Sequence, residues 1–303
     1  MPKFTKKKPL ILKLIRSWEI WIILIIAFLG IVLAIPRGEN VSDLSEERNL
    51  LENLLQQEPA KVSSEQTKAL VEKTEENQSY PDLISQKINH FCNNKIDAIK
   101  EVFEETNIQR LAATTNYGDR EKFDRTPEKR TVPHQPVMIV LHETVIPLNE
   151  TLKLFETNQD NDSAQVSYHV VVGLTGDRYR VVPDDKRAFG AGNSEFKGLS
   201  VSLNPALPSS VNNIALHVSL ETPPDGNREI PEHSGYTEEQ YQSLASVVGN
   251  WMIFYKIPIK FITTHKAVDR DGNKKDPRSF DQSKFQNYLN IYLERVSSDV
   301  CPA

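Results

Sequence analysis

Cysteine is almost absent from this chain: of 303 residues two are Cys, at positions 92 and 301, far apart and in no C-x-x-C spacing. That excludes a disulfide-dense scaffold and a cysteine-pair metal motif. Glycine and proline, at 12 and 18 residues, follow no repeat, which excludes a collagen-like chain, and a 39% hydrophobic content excludes a wholly disordered one. A surplus of positive charge is also lacking once the first 36 residues are set aside. Residues 2–36 hold six bases and one acid, and the rest carries 30 bases against 40 acids, a net charge of −10. An acidic body argues against nucleic acid as a partner. At roughly 100 to 200 residues per domain, the length accommodates one good-sized domain with appendages or two small ones.

What is present begins with a membrane address. Lys3, Lys6, Lys7, Lys8, Lys13 and Arg16 precede an apolar run at residues 20–35, and Trp18 and Trp21 stand at its start. A basic flank stays on the cytoplasmic side and paired indoles suit a membrane interface, so the remainder of the chain is expected to be exported. The run falls short of the ~20 residues that span a hydrocarbon layer yet exceeds a typical signal core, so a transmembrane anchor and a cleaved signal both stay open. The anchor is preferred, because Val32-Leu33-Ala34 with Pro36 close behind is a poor cleavage site. In an exported protein Cys92 and Cys301 either pair or remain two thiols.

Residues 38–79 hold ten acids, four bases and no aromatic residue. Such a stretch can bury little, so it reads as a stalk with short helical pieces that holds something away from the membrane. Ile84, Ile88, Phe91, Ile96, Ile99 and Phe103 recur at helical spacing, which predicts an amphipathic helix within residues 80–105 that packs on the main domain. Residues 106–134 are charged and aperiodic and predict a linker or surface loop.

From residue 136 strands and helices alternate. Strands are expected at 137–141, 165–173, 178–182, 214–220 and 257–263, with a hairpin turn at Gly176-Asp177. Helices are expected at 148–157, after the capping box Thr237-Glu-Glu-Gln240, and at 285–296. The organisation is therefore a basic tail and membrane segment at 1–36, a stalk at 37–79, a helical segment and linker at 80–134, and a domain at 135–303. That domain is of the α/β class, a mixed central sheet flanked by helices.

His142 and His265 each directly follow a predicted strand, where a rigid sheet presents side chains to a cleft, and Asp276 follows His265 in a glycine-containing loop. Two imidazoles and one carboxylate are a ligand set for Zn²⁺ that leaves a fourth position open, as hydrolytic sites do. A metal so held lowers the pKa of its bound water from ~15.7 to near 7. A histidine at a strand end is as readily a satisfied polar group, and the acids of this loop as readily a solvated turn. His142-Glu143 is not a zincin helix motif, since position 146 is Ile.

Four stretches in order, Val-Met-Ile-Val-Leu-His142, Val-Ser-Tyr168-His169, Val-Pro-Asp-Asp-Lys-Arg-Ala-Phe-Gly-Ala-Gly192 and Thr-His265 with Lys274-Lys-Asp276-Pro, resemble the zinc-dependent N-acetylmuramoyl-L-alanine amidases. That family includes muropeptide amidases, amidase-type phage lysozymes and peptidoglycan-recognition proteins. The resemblance runs from about residue 136 to 296 and implies peptidoglycan or muropeptide as substrate. It implies Zn²⁺ bound by His142, His265 and Asp276, with Asp276 standing where other members place a cysteine. It also implies Tyr168 beside the metal site as in the phage and recognition-protein members, and Lys274 as the donor to the oxyanion, preferred by register over its neighbour Lys275.

There are departures. Muropeptide amidases carry a catalytic glutamate where this chain has Ser219; Glu221 lies two residues on and by strand alternation could face the same side. Since Tyr168 is present, the tyrosine variant of the mechanism is expected. Gly190 stands where those amidases have a histidine. Of the other histidines, His169 is expected to face the core, His217 to be buried and hydrogen-bonded, and His90, His134 and His233 to be solvated. Trp251 and Tyr255 read as helix-face core residues, and residues 222–236 as a substrate-groove rim or a plain surface loop. A peptidoglycan-binding module without catalysis is the alternative to an enzyme, and a cytoplasmic recycling enzyme would conflict with the amino-terminal membrane segment.

Overall fold

The computed structural model describes residues 95–227 and 230–300. The expected membrane segment, the stalk, the first part of the amphipathic helix, and both cysteines lie outside the described residues. Among the described residues no helix is long and apolar enough to cross a membrane.

The centre is one six-stranded mixed sheet. Its strands are β1 (Ile108–Gln109), β3 (Met138–Glu143), β4 (Val170–Val172), β5 (Arg178–Arg180), β7 (Ala215–Leu220) and β8 (Ile262–Thr264), in the spatial order β1-β5-β4-β7-β3-β8. β4 and β5 pair antiparallel through the expected hairpin, while β4, β7, β3 and β8 run parallel to their neighbours. A separate antiparallel pair joins β2 (Tyr117–Asp119) to β6 (Lys186–Ala188). The helices are α1 (Ile96–Glu105), α2 (Leu148–Glu156), α3 (Glu238–Tyr255), α4 (His265–Val268) and α5 (Gln282–Val300).

Side chains on a strand alternate between faces, and that period sorts the core. Ile139, Leu141, Leu216, Val218 and Leu220 point to the face covered by α1, α3 and α5, where Phe103, Trp251 and Leu289 are fully buried. Met138, Val140 and Ala215 point the other way, against Ala191, Val201 and Val211. His142, His217 and Ser219 belong by alternation to this second face. β3 is buried along its whole length, as a central parallel strand covered on both sides must be.

The capping box forms as its sequence predicts: Thr237 Oγ1 accepts from Gln240 N at 3.1 Å and the Gln240 side chain accepts from Thr237 N. The Thr237 hydroxyl also donates to Leu174 O at 2.8 Å, tying the start of α3 to the hairpin.

Several boundaries differ from expectation. β3 extends through His142 and Glu143, so His142 lies inside the strand rather than after it. Only Val170–Val172 of the stretch 165–173 pairs as a strand. Ile259–Phe261, expected as strand, form a 3-10 turn after Pro258, and β8 starts only at Ile262. Residues 106–134 are not a bare linker: β1 adds to the sheet edge and β2 pairs with β6. Arg120 explains why this charged stretch docks. Its guanidinium donates to the backbone carbonyls of Asp184, Asn213 and Ala215 at 2.8–3.1 Å, so the cation satisfies two loop carbonyls and one at the start of β7.

Candidate active site

Three elements converge on one point. His142 leaves β3 near its carboxyl end, His265 opens α4 directly after β8, and Asp276 sits in the following loop. The local chemistry holds the loop in place. Thr264 caps α4 by accepting from Ala267 N at 3.2 Å, and Lys266 N donates to Asp276 O at 2.9 Å. Because β3 and β8 are adjacent and parallel, their ends lie side by side, which is how residues remote in sequence meet.

His265 Nδ1 lies 3.0 Å and His142 Nδ1 3.4 Å from the same oxygen, Asp276 Oδ2. One ligand atom from each of the three lies within 4.8 Å of the others, and all three residues are buried. His142 Nδ1 has no hydrogen-bond partner although it is buried. An orphaned nitrogen lone pair facing a carboxylate and a second imidazole is the donor set that a divalent ion such as Zn²⁺ satisfies. Burial holds the His142 pKa down to about 4, against the opposing effect of Asp276, so the ring is neutral at neutral pH. Asp276 is itself buried, which works against ionisation, but His142 and His265 beside it outweigh that and keep the carboxyl below its ordinary range.

Tyr168 stacks on His142, with ring centroids 4.5 Å apart, and meets Phe155 edge-on. Burial, then the negative charges of Asp276 and Glu143, push its phenol well above the usual range. It therefore remains a protonated hydrogen-bond donor. Lys274 is exposed on the loop before Asp276, its backbone N–H donating to Asp269 Oδ2 at 2.8 Å, and its charge reaches His142.

Ser219 lies beside His142 in the β3–β7 register, buried, its Oγ without a partner. Glu221 does not join this group. Its two oxygens accept from Leu148 N at 3.1 Å and Leu174 N at 2.9 Å, so it satisfies backbone donors at the start of α2 and in the hairpin. His169 is buried as expected: its Nδ1 accepts from His217 N at 3.0 Å and its Nε2 lies 3.1 Å from Lys186 O. His217 is buried too, and its Nδ1 lies 2.9 Å from His142 Nε2. Gly190 is buried against that ring. Phe189, Ala191 and Gly192 line a cavity of about 410 Å³ together with Gln165, Leu203 and Asn212.

His233 corrects an expectation. It is not solvated: its side chain is fully buried and Nε2 lies 3.1 Å from Glu143 Oε2. Glu143, which sequence reasoning set aside, is a hub. It accepts from Tyr236 OH, from Thr222 Oγ1 and from Arg278, both backbone and guanidinium. Thr222, His233 and Tyr236 are thereby tied through Glu143 to Arg278, two residues after Asp276. Val145 nearby adopts a φ of 62°, a conformation a β-branched residue takes only under constraint, and its N–H donates to Thr222 Oγ1 at 2.8 Å.

A mixed sheet that brings two imidazoles and an ionised carboxylate together at the ends of parallel strands defines the class, a mixed α/β domain with a candidate metal centre at its strand ends. Over residues 132–279, just under half of its length, the chain matches the family model described as N-acetylmuramoyl-L-alanine amidase. It is an enzyme of that kind, an amidase acting on a linear amide of peptidoglycan. Among solved structures it is similar to a crystal structure of an AmpD derivative, at 23% identity over 61% of this chain and 94% of that one, with a TM-score of 0.44. It is also similar to Citrobacter freundii AmpD (23%, 61% and 91%, 0.39) and to E. coli AmiD in complex with anhydro-N-acetylmuramic acid-L-Ala-D-gamma-Glu-L-Lys (18%, 57% and 65%, 0.41). No curated protein matches the chain.

Proposed function

We propose that the chain hydrolyses the amide between the lactyl group of N-acetylmuramic acid and L-alanine of the peptidoglycan stem peptide, with Zn²⁺ held by His142, His265 and Asp276. The observation that carries this reading is the approach of two imidazole Nδ1 atoms, 3.0 and 3.4 Å away, to Asp276 Oδ2, with His142 Nδ1 otherwise unpartnered. When bound, Zn²⁺ supplies Lewis acidity and lowers the pKa of a coordinated water toward neutrality.

The protein's own groups do the rest. Tyr168, kept protonated by burial and fixed by stacking on His142, orients the attacking water by donating a hydrogen bond. Lys274 donates to the carbonyl oxygen as negative charge develops there. The water oxygen bonds to the carbonyl carbon, the C–N bond breaks, and the water's protons pass to the leaving nitrogen, giving the lactyl carboxylate and the free amino group of L-alanine.

The expected location is a membrane-anchored protein whose domain lies on the exported side, or a secreted one if the segment is cleaved. The basic flank, the apolar run and the tryptophan pair support it.

The deciding experiment incubates the zinc-loaded protein with purified sacculi and with soluble muropeptides and reads the products by mass spectrometry. Stem peptides with a free L-alanine amino terminus are expected, lost on chelation and restored by zinc. Cleavage at another bond, or turnover indifferent to chelation, would overturn the reading. Membrane fractionation with protease access from the exported side tests the location.

A further inference from the structure

We propose that His217 is a positioning residue for the metal site, a hydrogen-bond acceptor that fixes the tautomer and rotation of His142, and that the glycine at 190 is the void that admits its ring. This rests on the zinc reading above. For Nδ1 of His142 to offer its lone pair to a metal, the ring proton must sit on Nε2. That nitrogen faces His217 Nδ1 at 2.9 Å in a fully buried setting; in the proposed arrangement it donates there and His217 carries its own proton on Nε2, an atom without a hydrogen-bond partner among the described residues.

The acceptor is itself held from three sides. β7 supplies His217 in register with Val140, two residues before the position that pairs with His142. The His217 ring stacks on His169, 5.8 Å between centroids and 9° from parallel. His169 is held in turn: its Nδ1 accepts from His217 N, and its Nε2 lies 3.1 Å from Lys186 O and 3.2 Å from the Arg120 guanidinium. On the third side is backbone. A Cβ at position 190 would lie 2.5 Å from His217 Nδ1 and 2.6 Å from Cγ, closer than side chains tolerate. Any residue larger than glycine there would displace the atom that receives the His142 proton.

Partners of metal-bound histidines typically change metal affinity by ~10- to 100-fold when removed. The test measures zinc affinity by competition with a chromophoric chelator for the wild-type protein and for His217→Phe, His217→Asn and Gly190→Ala. His217→Phe keeps an aromatic ring without the acceptor, and zinc affinity is expected to fall by ~10- to 100-fold. His217→Asn places an amide oxygen near the Nδ1 position and should recover most of that loss, which a merely space-filling role would not. Gly190→Ala should weaken zinc in the same sense as His217→Phe.

Equal affinity in wild type and His217→Phe, or an Asn variant as weak as the Phe variant, overturns the proposal while leaving the zinc reading intact. A wild-type protein that binds no zinc overturns both. Should the variants fail to fold, nitrogen NMR of the zinc-loaded wild type still decides. A protonated His142 Nε2 coupled across the hydrogen bond to an unprotonated His217 Nδ1 is expected, and a proton on His217 Nδ1 refutes the assignment.

Discussion

Glu143 accepts from Arg278 three times, from its backbone N–H at 3.1 Å and from its guanidinium through Nε at 2.5 Å and Nη2 at 3.1 Å. Glu143 follows His142 on β3, and Arg278 comes two residues after Asp276. The pair is therefore a clamp between the strand that carries one candidate ligand and the loop that carries another, and both partners are buried.

Removing one partner of a buried ion pair leaves an uncompensated charge, typically ~3–5 kcal/mol of lost stability. Glu143→Ala is expected to lose an amount in that range in urea unfolding, and to bind zinc more weakly because the Asp276 loop is released. A variant as stable as wild type would show that the clamp does not hold the loop.

Chelation is expected to abolish amidase activity and to lower the thermal midpoint, with zinc restoring both. Free zinc at about 100 times its dissociation constant adds ~2.7 kcal/mol to the folded state. Asp276→Ala, which removes the shared carboxylate, should lose this zinc-dependent stabilisation in calorimetry.

Lys274→Ala is expected to cut turnover by ~10²- to 10³-fold, the typical loss on removing one oxyanion donor. Zinc content should be unchanged, since the exposed lysine is no ligand. Normal turnover would remove Lys274 from the mechanism.

Tyr168→Phe preserves the ring stack on His142 and the edge contact with Phe155 while deleting the hydroxyl. A fall in turnover of ~10²- to 10⁴-fold is expected for loss of a positioned proton-bearing group. Little change in folding stability should accompany it. If activity persists, Tyr168 serves packing alone.

Acid should destabilise the metal-free protein. Burial, then the charge of Arg120, hold His169 neutral, with its pKa well below the ordinary 6.5. As pH falls through about 6.5 the unfolded chain binds a proton that the folded imidazole refuses. Stability is thus full above that pH and declines below it, by up to ~1.4 kcal/mol per pH unit for this group, until the folded pKa is reached. His169→Asn should flatten the slope in urea titrations with chelator present. An unchanged slope would mean that other groups carry the acid sensitivity.

Much of the domain was legible because its signals are local. The capping box before α3 needs residues three apart, the hairpin around Gly176 needs a turn pair, and the run 138–141 is β-branched and apolar enough to read as a buried strand. The three candidate ligands were found by strand-end position and by family resemblance. Glu143 and His233 were missed because each pairs with a residue far along the chain. His217 gave a usable signal: it alternates with Leu216 and Val218, whose burial against the helices sends it to the face of His142.

The sequence by itself determined which segments become strand or helix and which face of each is apolar, because those follow from periodicities of two and 3.6 residues. Only the tertiary structure decided that Asp276 meets both imidazoles, that Glu221 serves the backbone while Glu143 grips Arg278, and that a glycine at 190 leaves room for His217. Those outcomes depend on strand order and register, which bring distant residues within ångströms, and no local propensity encodes a distance between elements.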